Sequence, residues 1–131
     1  MKINIQGGCF CGKIRLKAKI EPISVVNCHC DNCKRSVGSP FVTWAVFKKD
    51  AISFNSPPPT HTAENRAVRT FCESCGTSIA YWHPDRKDTI DITVGCLDKP
   101  DNYPPNKNIW TKKRLSWVQN PDDIPNHEAF P

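Results

Sequence analysis

The sequence predicts a mostly β domain built from antiparallel strands. Three observations carry that expectation. Short runs rich in β-branched and aromatic residues recur along the chain, several alternating apolar with polar residues. No segment keeps a 3.6-residue apolar period for three turns. Most of the twelve prolines sit at the breaks between runs or in the last residues, where they punctuate turns.

Each element has its own warrant. "KIRLKAKI" (13–20) alternates basic and apolar residues, so one face is buried and the other wet. "SVVNC" (24–28) is a short β-branched strand that leads into a cysteine cluster. A single helical turn is expected after Asp31, over "DNCKRSV". "FVTWAVFK" (41–48) reads as a buried strand, and "AISF" (51–54) follows it after a turn at "KKD". "RAVRTFC" (66–72) alternates again, with Ala67, Arg69 and Phe71 opposite Val68 and Thr70. "TSIAYW" (77–82) and "TIDITVGCL" (89–97) complete the set. In the last run Ile90, Ile92 and Val94 share a face, and Cys96 is expected to continue it. Residues 119–131 lack any period and read as an irregular tail after a single domain spanning 1–118.

A domain of 131 residues buries only about two-thirds of its unfolded surface, so cross-links help it. Eight cysteines could supply them, as disulfides or as metal ligands. The opening "MKINIQGGCF" has no apolar run of the secretory kind, and no later run approaches the ~18 apolar residues of a membrane span. A soluble, cytoplasmic protein with reduced thiols and no membrane partner is expected. The formal charge of +5 is spread among acidic residues, and only Lys48–Lys49 and Lys112–Arg114 cluster. That pattern argues against a nucleic-acid partner.

Seven cysteines fall into three groups: Cys9-x-Cys11, Cys28-x-Cys30-x-x-Cys33 and Cys72-x-x-Cys75. The two pairs border glycine-bearing turns, "GGCFCGK" and "CESCGTS". One Cys-x-x-Cys could equally be a redox motif, but two pairs and a triple in a reducing compartment point to zinc. A closed structural site takes four ligands, so the economical division of seven is four and three. Cys9, Cys11, Cys72 and Cys75 would form the closed site. Cys28, Cys30 and Cys33 would hold a second zinc with one position open, as catalytic sites do. Two competitors for that position are His29 and Cys96. His29 lies between two ligands and is expected to point away, and Cys96 is expected to be a buried core residue.

These motifs resemble the glutathione-dependent formaldehyde-activating enzymes and their centromere protein V relatives. "GGCFCGKI", "CHCDNCKRSVGSPF", "RTFCESCGTSIAYW", "DITVGCLDKP" and "NIWTKKRLSWV" carry the likeness, in the family's order, over residues 7 to about 118. The resemblance implies a β-tent of folded antiparallel sheets, shared with methionine sulfoxide reductase B. It implies two zinc ions per chain, divided among the cysteines as above. It also implies a carbon–sulfur lyase that joins glutathione, or another thiol, to an aldehyde such as formaldehyde. The chain departs from the family pattern at Cys96, where a smaller residue is commoner.

A Cys₃ zinc is electron-rich and should favour a sulfur ligand over water activation. Cys28, Cys30 and Cys33 are therefore the expected catalytic centre. Lys34, Arg35 and Arg69 are candidate partners for glutathione carboxylates, each with an alternative as surface charge. Trp44, Phe71, Tyr81 and Trp82 could wall a pocket or simply fill the core. His29, Asp31 and His83 are proton-donor candidates by proximity alone. Two other classes compete. One is a zinc-stabilised binding module without catalysis. The other is a reductase with Cys96 as nucleophile, for which an Arg-x-Cys-x-Asn pattern would be expected where the chain reads "VGCLD".

Overall fold

The computed structural model of the chain describes residues 3–119 and 124–131. Residues 1–2 and 120–123, the latter within the expected tail, lie outside the described residues. The fold is mostly β, as the sequence predicts. Strands β1 (Ile5–Gly8), β2 (Arg15–Ala18) and β5 (Ile52–Phe54) form a small antiparallel sheet in the order β1-β2-β5. A larger sheet has the order β10-β3-β4-β9-β8-β7-β6. It uses β3 (Ser24–Cys28), β4 (Val42–Lys48), β6 (Thr60–Thr62), β7 (Val68–Phe71), β8 (Ser78–Trp82), β9 (Thr89–Thr93) and β10 (Lys107–Ile109). Its pairs are antiparallel except β10 with β3, which is parallel.

The large sheet buries side chains on both faces, and strand alternation decides which residue goes where. On one face Val25, Ala45, Phe47, Ile90 and Ile92 pack with Ile5, Leu16 and Ala18 of the small sheet in the main core. Phe47 and Ile92 are fully buried there. On the other face Val26, Cys28, Val42, Trp44 and Ile109 form a second cluster with Cys33. Cys28 of β3 thus stands on the face turned away from the main core.

β1 closely approaches the segment after β9 at Gly7, which bridges to Leu97. A Cβ at Gly7 would lie 2.5 Å from the Cys96 carbonyl oxygen, so only glycine fits the approach. The helix α1 (Asp31–Val37) covers the expected segment "DNCKRSV". It is capped at its start by the Cys30 thiol, which accepts from the Cys33 N–H at 3.3 Å. It ends at Gly38, whose φ of 73° and N–H bond to the Lys34 carbonyl make a left-handed C-terminal cap.

One expectation is corrected. The run 89–97 does not continue as a strand to Cys96. β9 stops at Thr93, and Val94–Cys96 form a 3-10 turn closed by the Leu97 N–H on the Val94 carbonyl at 3.0 Å. Val94 keeps its place in the core, but Gly95 brings no side chain and the chain turns there. β1, β6 and β10 carried no strand expectation, and each is four residues or fewer.

Candidate metal centre and cavity

Two tight turns bring four thiols together. After β1 the chain turns over Cys9–Gly12, with the Gly12 N–H on the Cys9 carbonyl at 3.1 Å and φ of 81° at Gly12. After β7 it repeats the device, with the Gly76 N–H on the Cys72 carbonyl at 2.7 Å and φ of 79° at Gly76. The sulfurs of Cys9, Cys11, Cys72 and Cys75 all lie within 4.8 Å of one another. Thr77 ties the turns to each other. Its hydroxyl accepts from the Phe10 N–H at 3.1 Å and lies 3.1 Å from the Cys75 sulfur.

The four sulfurs do not share charge evenly. The Thr77 hydroxyl and the Cys11 and Thr77 N–H groups lower the Cys75 thiol to about 5. The Lys13 N–H lowers Cys11, but Cys9 and then Cys75 and Cys72 outweigh it and push that thiol up to about 11. Four sulfurs at this spacing can all be thiolates only with a cation among them. With all eight cysteines free of disulfides, the donor set fits a tetrahedral thiolate-bound ion such as zinc.

Cys28, Cys30 and Cys33 form the second group, also within 4.8 Å of one another. Cys28 ends β3, Cys33 lies in α1, and Cys30 joins them as the helix cap. Negative charge gathers on Cys30. Hydrogen bonds from Cys28 and Cys33, then from the Cys33 N–H, with the Arg69 guanidinium nearby, hold its thiol far below the ordinary range. Cys28 is driven up by Cys30 and Cys33 and by burial. These three soft donors also fit a zinc ion, and they leave room for another ligand.

That room is a cavity of about 490 Å³. The three cysteines line it. It is also lined by a row of cross-strand neighbours, Asp91 of β9 opposite Tyr81 of β8, and Tyr81 opposite Arg69 of β7. Trp44 packs 6.2 Å from Tyr81, centroid to centroid. The Arg69 guanidinium lies 4.8 Å from the Tyr81 ring centroid and makes no ion pair among the described residues. Asp91 is 7% exposed, and burial pushes its carboxyl up to about 6 despite Arg86 and Arg69. Its nearest cation is the Arg86 guanidinium at 3.8 Å.

The other sequence candidates divide. His29 points away from the cysteines, with Nε2 3.2 Å from the Asn108 side-chain oxygen and its ring 5.3 Å from Phe41. Burial lowers its pKa. Asp31 lies at the rim, paired with Lys34 at 3.2 Å and Lys113 at 3.3 Å. Lys34 is held there by the Lys113 carbonyl at 2.8 Å, and Arg35 does not line the cavity. His83 lines it, but Nε2 lies 2.8 Å from the Asn65 carbonyl and Nδ1 accepts from the Asp85 N–H. Trp44 and Tyr81 wall the cavity, whereas Trp82 packs on the main core and Phe71 is not a lining residue. The Cys96 thiol belongs to neither sulfur group. It donates to the Ser78 carbonyl at 3.5 Å, and burial, then Cys9 and Cys75, push it up.

Asp91, Arg86, Trp110 and Phe130 line the cavity without having been sequence candidates. Asp91 did leave a signal, as the one acid inside the apolar alternation "TIDITV". Among the described residues no helix is long and apolar enough to cross a membrane.

Residues 4–113 match the model of the family described as glutathione-dependent formaldehyde-activating enzyme. The chain is 31% identical over 113 residues to a protein of Schizosaccharomyces pombe named as an uncharacterized lyase, covering 75% of this chain and 82% of the relative. The chain therefore belongs to the glutathione-dependent formaldehyde-activating enzyme family. A crystal structure of a Rhodobacter sphaeroides protein has the same fold, with a TM-score of 0.59 at 17% identity over 92% of this chain and 98% of the other.

Proposed function

We propose that the protein is a zinc-dependent carbon–sulfur lyase acting on adducts of a thiol, such as glutathione, with an aldehyde, such as formaldehyde. Family membership and the relative named a lyase support the class. The observation that carries the chemistry is the opening of three converged thiols into a cavity that also presents Arg69 and Asp91. In this reading Cys9, Cys11, Cys72 and Cys75 hold a structural zinc, and Cys28, Cys30 and Cys33 hold a second. A zinc ion there would supply an open position for a substrate sulfur and favour its thiolate form at neutral pH.

The chain's own residues do the rest. Arg69, free of ion pairs among the described residues, meets a substrate carboxylate. Tyr81 and Trp44 give the cavity an apolar side. As the C–S bond forms, the carbonyl π pair moves to oxygen, and the Asp91 carboxylic acid delivers a proton to it. In the lyase direction the Asp91 carboxylate takes that proton back while the C–S pair returns to sulfur. Burial keeps part of Asp91 protonated near neutrality, which suits both directions. The reduced thiols suit a cytoplasmic location.

Metal analysis combined with glutathione titration tests this reading. Two zinc ions per chain and saturable binding of glutathione, lost in Cys30→Ser, are expected. One zinc per fully loaded chain, or no binding and no turnover of glutathione with any aldehyde, would replace it with a zinc-stabilised binding module.

A further inference from the structure

The segment 124–131 returns to the cavity and supplies part of its wall. It runs along the outer edge of β10, where Asn126 pairs with Asn108 as a parallel bridge. The Asn108 N–H donates to the Pro125 carbonyl at 2.9 Å, and the His127 N–H donates to the Asn108 carbonyl at 3.0 Å. The N–H and hydroxyl of Thr111 reach the His127 carbonyl at 3.0 and 2.9 Å. The Trp110 N–H donates to the Ala129 carbonyl at 3.0 Å.

These bonds deliver Phe130 to the rim. Its ring stands edge-on to Trp110, with centroids 5.1 Å apart and planes at 74°. The Arg86 guanidinium lies 5.1 Å from the same ring. Trp110 itself adopts a left-handed backbone, with φ of 57°, which is uncommon for a bulky residue and is held by the bonds on either side of it. Phe130 is 53% exposed, so the main core does not account for its position. It lines the cavity that the cysteines open into. The family match ends at residue 113, so this wall is made by residues beyond the matched region.

We infer that Phe130 sets the largest group the cavity admits, making residues 124–131 a specificity element of this chain. The substrate chemistry rests on the lyase reading above; the wall itself does not. The ring rests between an aromatic and a cationic neighbour, which favour its place at the cavity wall. Replacing it with a methyl group opens that side without touching a sulfur or the Asp91–Tyr81–Arg69 row.

The test uses zinc-loaded wild type and Phe130→Ala, with zinc content and circular dichroism as controls on folding. Each is titrated by calorimetry with two unreactive thioethers, S-methylglutathione and S-benzylglutathione. The expected result is at least tenfold tighter binding of the benzyl compound by the variant, with the methyl compound within twofold. Equal shifts for both, or none for either, would overturn the inference. The glutathione reading fails if the wild type does not bind glutathione itself; where the wild type binds neither thioether, the wall is decided by alkylation of Cys30 in the metal-free proteins. Phe130→Ala should then raise the rate with a biotinylated iodoacetamide, relative to iodoacetamide, at least fivefold. An unchanged ratio would rule the wall out.

Discussion

Tyr81 stands directly opposite Asp91 in the antiparallel β8–β9 ladder, and both side chains face the cavity shared with Cys28, Cys30 and Cys33. An aromatic ring and two arginines therefore surround a buried carboxyl group that no hydrogen bond among the described residues satisfies. Such a group costs stability when ionised, and the proposed mechanism gives it the proton.

Asp91→Asn should accordingly stabilise the fold while reducing turnover. The Asp91 carboxyl moves from an ordinary 3.8 up to about 6 on folding. Its ionised form is thus penalised in the folded state. The penalty is nil below the unfolded value, grows between the two values, and is complete above about 6. At pH 8 it amounts to about 3 kcal/mol. The gain from Asp91→Asn should rise by about 1–2 kcal/mol between pH 5 and pH 8 in denaturant titrations. Its kcat should fall at least about 100-fold, and the limb of the pH profile near 6 should disappear.

The two sulfur groups should respond differently to loss of one ligand. Cys11 and Cys72 are 61 residues apart in sequence, so an ion joining them closes a long loop, worth about 4 kcal/mol by analogy with a covalent cross-link. Cys72→Ser should unfold the chain or lower its melting temperature by more than 15 °C. Cys30→Ser should lose one zinc and keep the circular dichroism of the fold. Unfolding in both variants would mean that the groups are not functionally divided.

Arg69→Ala should weaken glutathione binding by about 10- to 100-fold, the range for a lost charge-assisted hydrogen bond. The effect should fall on KM more than on kcat, and it should shrink at high salt. A comparable loss for a thiol without carboxylates, such as 2-mercaptoethanol, would remove Arg69 from substrate recognition.

Gly7→Ala tests the close approach of β1 to the turn at Cys96. Its Cβ would meet the Cys96 carbonyl oxygen at 2.5 Å, a backbone atom that cannot rotate aside. A loss of about 1–3 kcal/mol is expected, read as a lower melting temperature. Because the displaced carbonyl belongs to Cys96, the variant should expose that thiol to alkylating reagents faster than wild type does.

Much of the site was legible because its parts are local. Cys28, Cys30 and Cys33 fall within six positions, and each Cys–Gly turn carries its own geometry. β3 and β4 were legible because burial on both faces makes a continuous apolar run. The end of β9 was hidden for the same reason, since the apolar alternation of Ile90, Ile92 and Val94 outlasts the ladder. β10 is three residues paired in parallel across 81 positions, as in Asn27 and Asn108, and no local pattern encodes that. Phe130 reaches the cavity through backbone bonds to residues 108–111, which depend on no side-chain periodicity.

The spacing of the sulfurs also orders events in time. Cys28, Cys30 and Cys33 need only a few residues of chain to converge, and closing so short a loop takes well under a microsecond. Cys9 and Cys11 must wait for β7 and the turn at Cys72–Cys75, more than sixty residues further along the chain as it is synthesised. A nascent or refolding chain that binds metal can therefore capture its first ion at Cys28, Cys30 and Cys33 while the sheets are still unformed. The fold would then be assembled around a loaded triad, and the staple that secures it would be the last metal-dependent step.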